Sequence, residues 1–236
     1  MIKIGNVLLG KSPTIVLTLT DTAGLPSIRK AKREGARILE IRIDRFRRLD
    51  DSSILQRIQS LRHLGIPLIA TIRSRKEGGG RFLSDAKRIE IFRKVLPFVN
   101  ALDLELNSPR LVKALVPEAH RMKKQIILSY HDFKSTPTDA RMAGLIRRAK
   151  KSKADLMKIA VTPKKSEDVA RLLLFTRRNR HENLVSIAMG RIGMPSRVLA
   201  PLFGSLLTYS FLDRPQAPGQ LSLRRLSSEL RKHLRK

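Results

Sequence analysis

Eight times along this chain a short run rich in β-branched residues is followed by a stretch of helical periodicity, and that alternation decides most of what the chain can fold into. The first four runs are residues 14–20 (TIVLTLT), 38–44 (ILEIRID), 68–74 (LIATIRS) and 98–106 (FVNALDLEL). Residues 125–133 (QIILSYHDF), 155–163 (DLMKIAVTP), 184–190 (LVSIAMG) and 206–212 (LLTYSFL) complete the set. Helices are predicted at Pro26–Arg37, Ser52–Leu64, Ser84–Val95, Pro109–Lys123, Thr138–Lys151, Ser166–Asn179 and Ser196–Gly204. A last, basic helix follows over about 221–236, with Leu223, Leu226, Leu230 and Leu234 near helical spacing. Several helices open with a capping residue and an early acid, as in Ser166-Glu167-Asp168. Strands that alternate with helices pair in parallel, and eight such units close into a (β/α)8 TIM barrel of the α/β class. An open doubly wound sheet competes, but it usually carries a Gly-rich phosphate turn after its first strand, where this chain has DTAGLPS. No linker-like stretch divides the chain, so residues 1–236 are expected to form a single barrel domain.

Composition matters mainly for what it removes. A chain with 42% hydrophobic residues has enough to build a core, so the charge does not imply disorder. With no Cys there is no disulfide framework, thiolate metal site or cysteine nucleophile. Metal binding is weakly supported, because no His pair has metal-ligand spacing. No apolar run is long enough to span a membrane, and the N-terminus lacks a signal-peptide pattern, so a soluble, cytoplasmic protein is expected. The 49 Lys and Arg against 20 Asp and Glu leave +29, which invites a nucleic-acid reading. Yet the charges scatter over helical segments such as AKREGAR and RRAKKSK, and only 4% of residues are aromatic. Adventitious polyanion binding is the expectation, because charge alone carries no sequence information.

The strands hold a second signal. In Glu40-Ile41-Arg42-Ile43-Asp44 charges occupy one face and isoleucines the other, and Leu102-Asp103-Leu104-Glu105-Leu106 repeats the pattern. Helices cover the outside of a barrel, so here the charged face must turn inward. Thr71, Arg73, Ser129, His131 and Lys158 are expected to join it, setting Glu40, Asp44, Asp103 and Glu105 against Arg42, Arg73 and Lys158. Buried charge is costly unless paired, so this near balance suits a polar lumen. Lys158, flanked by apolar residues, is either a snorkelling side chain or an amine facing the lumen, made nucleophilic by desolvation and nearby cations. His131 at its strand end is either a satisfied structural residue or a proton-transfer group. His63, His120, His181 and His233 lie in or beside helices and are expected to be solvated.

Taken together, these residues resemble type I 3-dehydroquinate dehydratase, a Schiff-base-forming family of the shikimate pathway. The resemblance rests on Glu40–Asp44, Arg73 with Glu77-Gly78-Gly79, Asp103-Leu104-Glu105 and Ser129-x-His131-Asp132-Phe133. It continues through Lys158-Ile159-Ala160, Met189, Gly193, Ser196-Arg197, Phe203-Gly204-Ser205, Thr208 and Ala217-Pro218-Gly219-Gln220, reaching about Leu223. It implies syn elimination of water from 3-dehydroquinate, a small anionic substrate, to give 3-dehydroshikimate, without metal or organic cofactor. Lys158 would form the iminium, His131 would act as base and acid, and Glu77 would orient His131. Glu40, Arg42 and Arg73 would contact the ring, and Arg197 and Gln220 would hold the carboxylate. Met189 and Tyr209 would form an apolar wall, while Gln216 and Ala217 would sit in a closing segment, Asp213–Gln220. Family members with Ser at the position of Gln216, Met at that of Ile187 or Phe at that of Tyr209 mark where this chain departs. The resemblance also suggests a homodimer. A class I aldolase-type enzyme, or a basic nucleic-acid-binding barrel, is the alternative.

Overall fold

The structure, a computed structural model, describes residues 2–234. It opens with a hairpin that the sequence did not announce, β1 (Lys3–Ile4) against antiparallel β2 (Val7–Leu8). The eight anticipated strands follow. They are β3 (Thr14–Leu19), β4 (Ala36–Arg42), β5 (Leu68–Thr71), β6 (Ala101–Glu105), β7 (Gln125–Asp132), β8 (Leu156–Val161), β9 (Leu184–Ala188) and β10 (Leu207–Phe211). The helices between them are α1 (Leu25–Arg33), α2 (Asp51–Arg62), α3 (Asp85–Val95), α4 (Pro109–Arg121), α5 (Asp139–Lys151) and α6 (Ser166–Arg178). After β9 come α7 (Gly190–Gly193) and α8 (Ser196–Leu202). A two-residue strand, β11 (Leu221–Ser222), precedes α9 (Leu223–Leu234), so the final helix starts later than expected. The sheet runs β11-β10-β3-β4-β5-β6-β7-β8-β9, parallel throughout. Its ends meet where the Leu206 N–H donates to the Leu184 carbonyl at 2.9 Å, which curls it into the expected (β/α)8 barrel.

Three helix starts follow side-chain capping chemistry. The side chains of Asp50, Ser84 and Thr138 accept from the backbone N–H groups of Ser53, Lys87 and Arg141. Ser166 is instead the first helical residue, and it is Asp168 that accepts from Lys164 N–H at 2.9 Å. In α9 the expected stripe buries Leu223, Leu226 and Leu230; the side chain of Leu234 and residues 235–236 lie outside the described residues.

Period-2 alternation sorts each strand into an outer face under the helices and an inner face in the lumen. The lowest inner layer is Val16, Ile38, Ile69, Ala101, Ile127, Leu156, Val185 and Leu207, one apolar side chain per strand. Ile4, Val7 and Leu9 of the hairpin join that cluster, so the hairpin plugs the barrel floor. Two residues further along each strand the layer becomes Thr18, Glu40, Thr71, Asp103, Ser129, Lys158, Ile187 and Tyr209, all buried. Polarity therefore rises toward the C-terminal ends of the strands, where barrels of this kind present their chemistry.

Candidate active site

Charges in the upper lumen are held in pairs. Arg42 makes a bidentate contact to Asp44 (2.9 and 2.8 Å), and Arg73 donates to Asp103 at 2.7 Å and to Ser129 at 2.6 Å. Glu40 accepts from the hydroxyls of Thr18 (3.1 Å) and Thr71 (3.0 Å). Glu105 accepts from Ser74 N–H at 2.8 Å and contacts Arg88, a fully buried cation from α3 that the helical pattern gave no reason to place inside. Arg88 evens the expected imbalance of four anions against three cations. Burial opposes the charge on Asp103, but Arg73 and Lys158 hold its carboxyl well below the usual carboxylate range. Asp44 and Glu105 are likewise lowered against burial by their arginine partners and by backbone N–H groups.

Lys158, only 4% exposed, faces this network from β8. Its ammonium contacts Asp103, lies 3.7 Å from Glu40 and sits 4.7 Å from the centre of the Tyr209 ring. The sequence led us to expect cations beside this amine, but its ion partners within 4 Å are carboxylates. Lys158 therefore rests as half of an ion pair and must shed a proton before it can attack anything.

His131 ends the inner face of β7. Its Nδ1 and its backbone N–H both meet Glu77 Oε2, at 2.9 and 3.2 Å. When Glu77 is ionised it only accepts, so Nδ1 then carries the proton and Nε2 keeps its lone pair. Burial, then Arg73 and Lys158, push the imidazole well below its ordinary value, so it is neutral at neutral pH. Burial also raises Glu77 to about 7, a rise limited by Arg73. Glu77 belongs to a 3-10 turn, Arg75–Glu77, folded so tightly that a Cβ on Gly79 would stand 2.1 Å from the Arg73 carbonyl. Phe133, 42% exposed, stacks on His131 with ring centres 6.5 Å apart.

A cavity of about 250 Å³ opens above these groups. Lys158, His131, Glu77, Glu40, Arg42 and Arg73 border it, as do Met189, Arg197, Tyr209, Gln216, Ala217 and Gln220. Every site residue expected from the sequence is thus on one cavity. Thr18, Arg45, Phe133 and Ile187 border it too. Of these, Thr18 could have been found, since it shares the period-2 face of Val16 and pairs in register with Glu40. Gln220 is already engaged at both ends of its amide, accepting from Gln216 N–H at 2.8 Å and donating to Thr18 at 3.3 Å, so it ties down the segment after β10. Arg197 donates to the Pro218 carbonyl at 3.0 Å, while its Nε has no partner. Burial lowers this guanidinium to about 10, and among the described residues it makes no ion pair. The other histidines stay outside the cavity. His120, expected to be solvated, is half-buried and bonded to Asp155 at 2.9 Å. Among the described residues no cluster of three His, Cys, Asp or Glu could hold a metal ion, and no helix is long and apolar enough to cross a membrane.

A (β/α)8 barrel with ionisable groups gathered on one cavity at the C-terminal ends of its strands is an enzyme of the barrel class. The model of the family described as Type I 3-dehydroquinase matches residues 14–233, and the chain belongs to that family. It is 35% identical over 222 residues to a 3-dehydroquinate dehydratase of Thermodesulfovibrio yellowstonii, covering 92% of this chain and 94% of the relative. Identity to the enzyme of that name from Methanothrix thermoacetophila is 38% over 227 residues, with 94% and 92% covered. The crystal structure of 3-dehydroquinate dehydratase from Geobacillus kaustophilus superposes with a TM-score of 0.89 at 30% identity, covering 99% of this chain and 97% of that one.

Proposed function

We propose that the chain dehydrates 3-dehydroquinate to 3-dehydroshikimate through a Schiff base on Lys158. The observation that carries this reading is the meeting, on one cavity, of a buried lysine, a histidine oriented by a carboxylate, and a buried arginine without a counter-ion among the described residues.

Each step moves one bond at a time. Lys158 gives up a proton and its nitrogen adds to the ring ketone; the ketone oxygen takes up that proton and a second from the nitrogen and leaves as water, giving an iminium. The iminium draws electrons from the neighbouring C–H bond, and Nε2 of His131 takes that proton, leaving an enamine. The enamine returns its electron pair to re-form the iminium as the β-hydroxyl departs, and the imidazolium supplies the proton that makes it water. Water then hydrolyses the product iminium and frees Lys158. The net change is loss of one water, with no redox change and no metal or organic cofactor. Glu77 keeps His131 in the tautomer whose lone pair faces the ring, and Asp103 stores the ammonium between turnovers.

The remaining groups position the ring. Arg197 supplies a buried cation for the substrate carboxylate, a setting in which a charge-assisted bond is strong. Glu40, Arg42 and Arg73 present polar atoms to ring hydroxyls. Met189 and the Tyr209 ring form the wall. Gln220 pins the segment that carries Gln216 and Ala217 over the opening, and Gln216 Oε1, which has no partner, accepts from a substrate hydroxyl. The reading also makes this a cytoplasmic enzyme working as a homodimer, whose basic chains would meet through an apolar face; light scattering tests the dimer. Absorbance of the conjugated enone formed from 3-dehydroquinate tests the reaction itself. A rise with the wild-type protein that is lost in Lys158→Ala is expected, and no rise from the pure wild-type protein would refute the dehydratase assignment.

A further inference from the structure

One buried donor bordering the cavity is used by nothing described so far. The Tyr209 hydroxyl is buried and makes no hydrogen bond among the described residues, and the residue, 4% exposed, lines the cavity. Leaving such a group unmade is costly, so an isolated buried phenol calls for a partner that arrives from outside the protein. Burial, with the nearby Glu40 and Asp103 carboxylates, pushes its ionisation well above the ordinary value, so the oxygen always carries a proton to give. It therefore needs an acceptor. Arg197 and Lys158 are donors and cannot serve.

The direction of that acceptor follows from the ring. The Lys158 amine faces the ring of Tyr209, 4.7 Å from its centre, so a ketone captured there lies over the face while the hydroxyl points outward in the ring plane. Among the described residues Arg197 is the buried cation with no carboxylate partner, and Tyr209 is the ionisable group whose field bears on it. Arg197 is also locked to the strand that carries Tyr209, because Thr208 Oγ1 donates to the Arg197 carbonyl at 2.7 Å. A guanidinium with an unpartnered Nε and a phenol with an unpartnered O–H thus border one cavity, tied together through Thr208.

We propose that the Tyr209 hydroxyl is a second donor to the substrate carboxylate, acting beside Arg197, and so helps select a ring that bears a carboxylate. This rests on the assignment of Arg197 to that carboxylate. It gives Tyr209 a recognition role distinct from its apolar ring.

Quinate tests it, because it keeps the carboxylate and hydroxyls but has no ketone and reads recognition without chemistry. Calorimetric Kd values are needed for wild type, Tyr209→Phe, Arg197→Ala and the double variant. Losing one bond to a charged group should weaken quinate about tenfold or more in Tyr209→Phe, and the two losses should be less than additive in the double variant. In the absence of ligand, Tyr209→Phe should melt a few degrees above wild type, since an unmet buried hydroxyl has been removed. An unchanged Kd in Tyr209→Phe, strict additivity, or failure of wild type to bind quinate would each overturn the assignment. If wild type binds quinate as described but forms no enone from 3-dehydroquinate, the dehydratase reading fails while the role of Tyr209 stands.

Discussion

At the scale of single residues the most exacting partnership is that of Glu77 with His131. Burial raises Glu77 to about 7, so it takes up a proton as the solution becomes more acid than that. A protonated carboxyl can turn its O–H toward Nδ1 of His131, which moves the ring proton to Nε2, and the base is lost. On this basis kcat/KM falls on the acid side with an apparent pKa near 7. In Glu77→Gln the amide oxygen still accepts from Nδ1 but does not titrate, and His131 itself is pushed down by burial. The acid limb should therefore move to lower pH in that variant, and a pH–rate profile with an unmoved limb would contradict the pairing. The stability effect has the sign expected of a raised acid. The folded state keeps a proton that the unfolded state releases above 4.5, so Glu77 takes stability away as pH rises from there to about 7. His131→Ala should leave borohydride trapping on Lys158 measurable while turnover falls by about two to four orders of magnitude; near-normal turnover would remove His131 from proton transfer.

Among elements, the polar layer of the lumen depends on Asp103. It pairs with Arg73 and Lys158 and accepts from Ser129. Asp103→Asn would leave two buried cations short of a charge, and such losses typically cost about 3–5 kcal/mol. A large drop in urea-unfolding free energy is expected, and a change below about 1 kcal/mol would show the pair to be dispensable. Asp44, Asp103 and Glu105 are all lowered in the folded state, so the stability they add is present above their unfolded values of 3.8, 3.8 and 4.5 and drains away as pH falls below them. The segment over the cavity depends on Gly219, whose φ is +69° and whose added Cβ would stand 2.2 Å from the Gly190 carbonyl. Gly219→Ala should raise KM by displacing Gln220 and Gln216, with a smaller effect on thermal stability; an unchanged KM would show that the segment does not form the substrate site.

Much of this was legible in the chain. Ile38, Glu40 and Arg42 share one face of β4 while Leu39 and Ile41 take the other, and that alternation fixes both the barrel and its charged lumen. The floor hairpin was not legible, because strands of two residues leave no periodicity to read. Arg88 was hidden by its setting in α3, where a charged residue reads as solvent-facing unless its partner Glu105 is known. The partners of Lys158 depended on β6 and β8 lying on either side of β7, and the engagement of Gln220 with Thr18 joins residues from opposite ends of the chain. Spacing along one strand carries no such information.

For the whole molecule, the formal charge of +29 is largely separate from the chemistry. Arg42, Arg73, Arg88, Lys158 and Arg197 are the buried cations among the described residues, and the first four are paired. Charges on the outer helices are screened over about 8–10 Å at ordinary salt. Raising ionic strength from about 0.05 to 0.5 M should thus lower kcat/KM only a few-fold, whereas any polyanion affinity should collapse over the same range and be untouched by Lys158→Ala. Turnover that fell as steeply as polyanion binding would tie the surface charge to catalysis. The most direct measurement of all is mass spectrometry of the protein treated with borohydride in the presence of 3-dehydroquinate. A reduced adduct on Lys158, absent without substrate, is the expected result. Turnover without any adduct, or an adduct on another lysine, would contradict the mechanism at its first step.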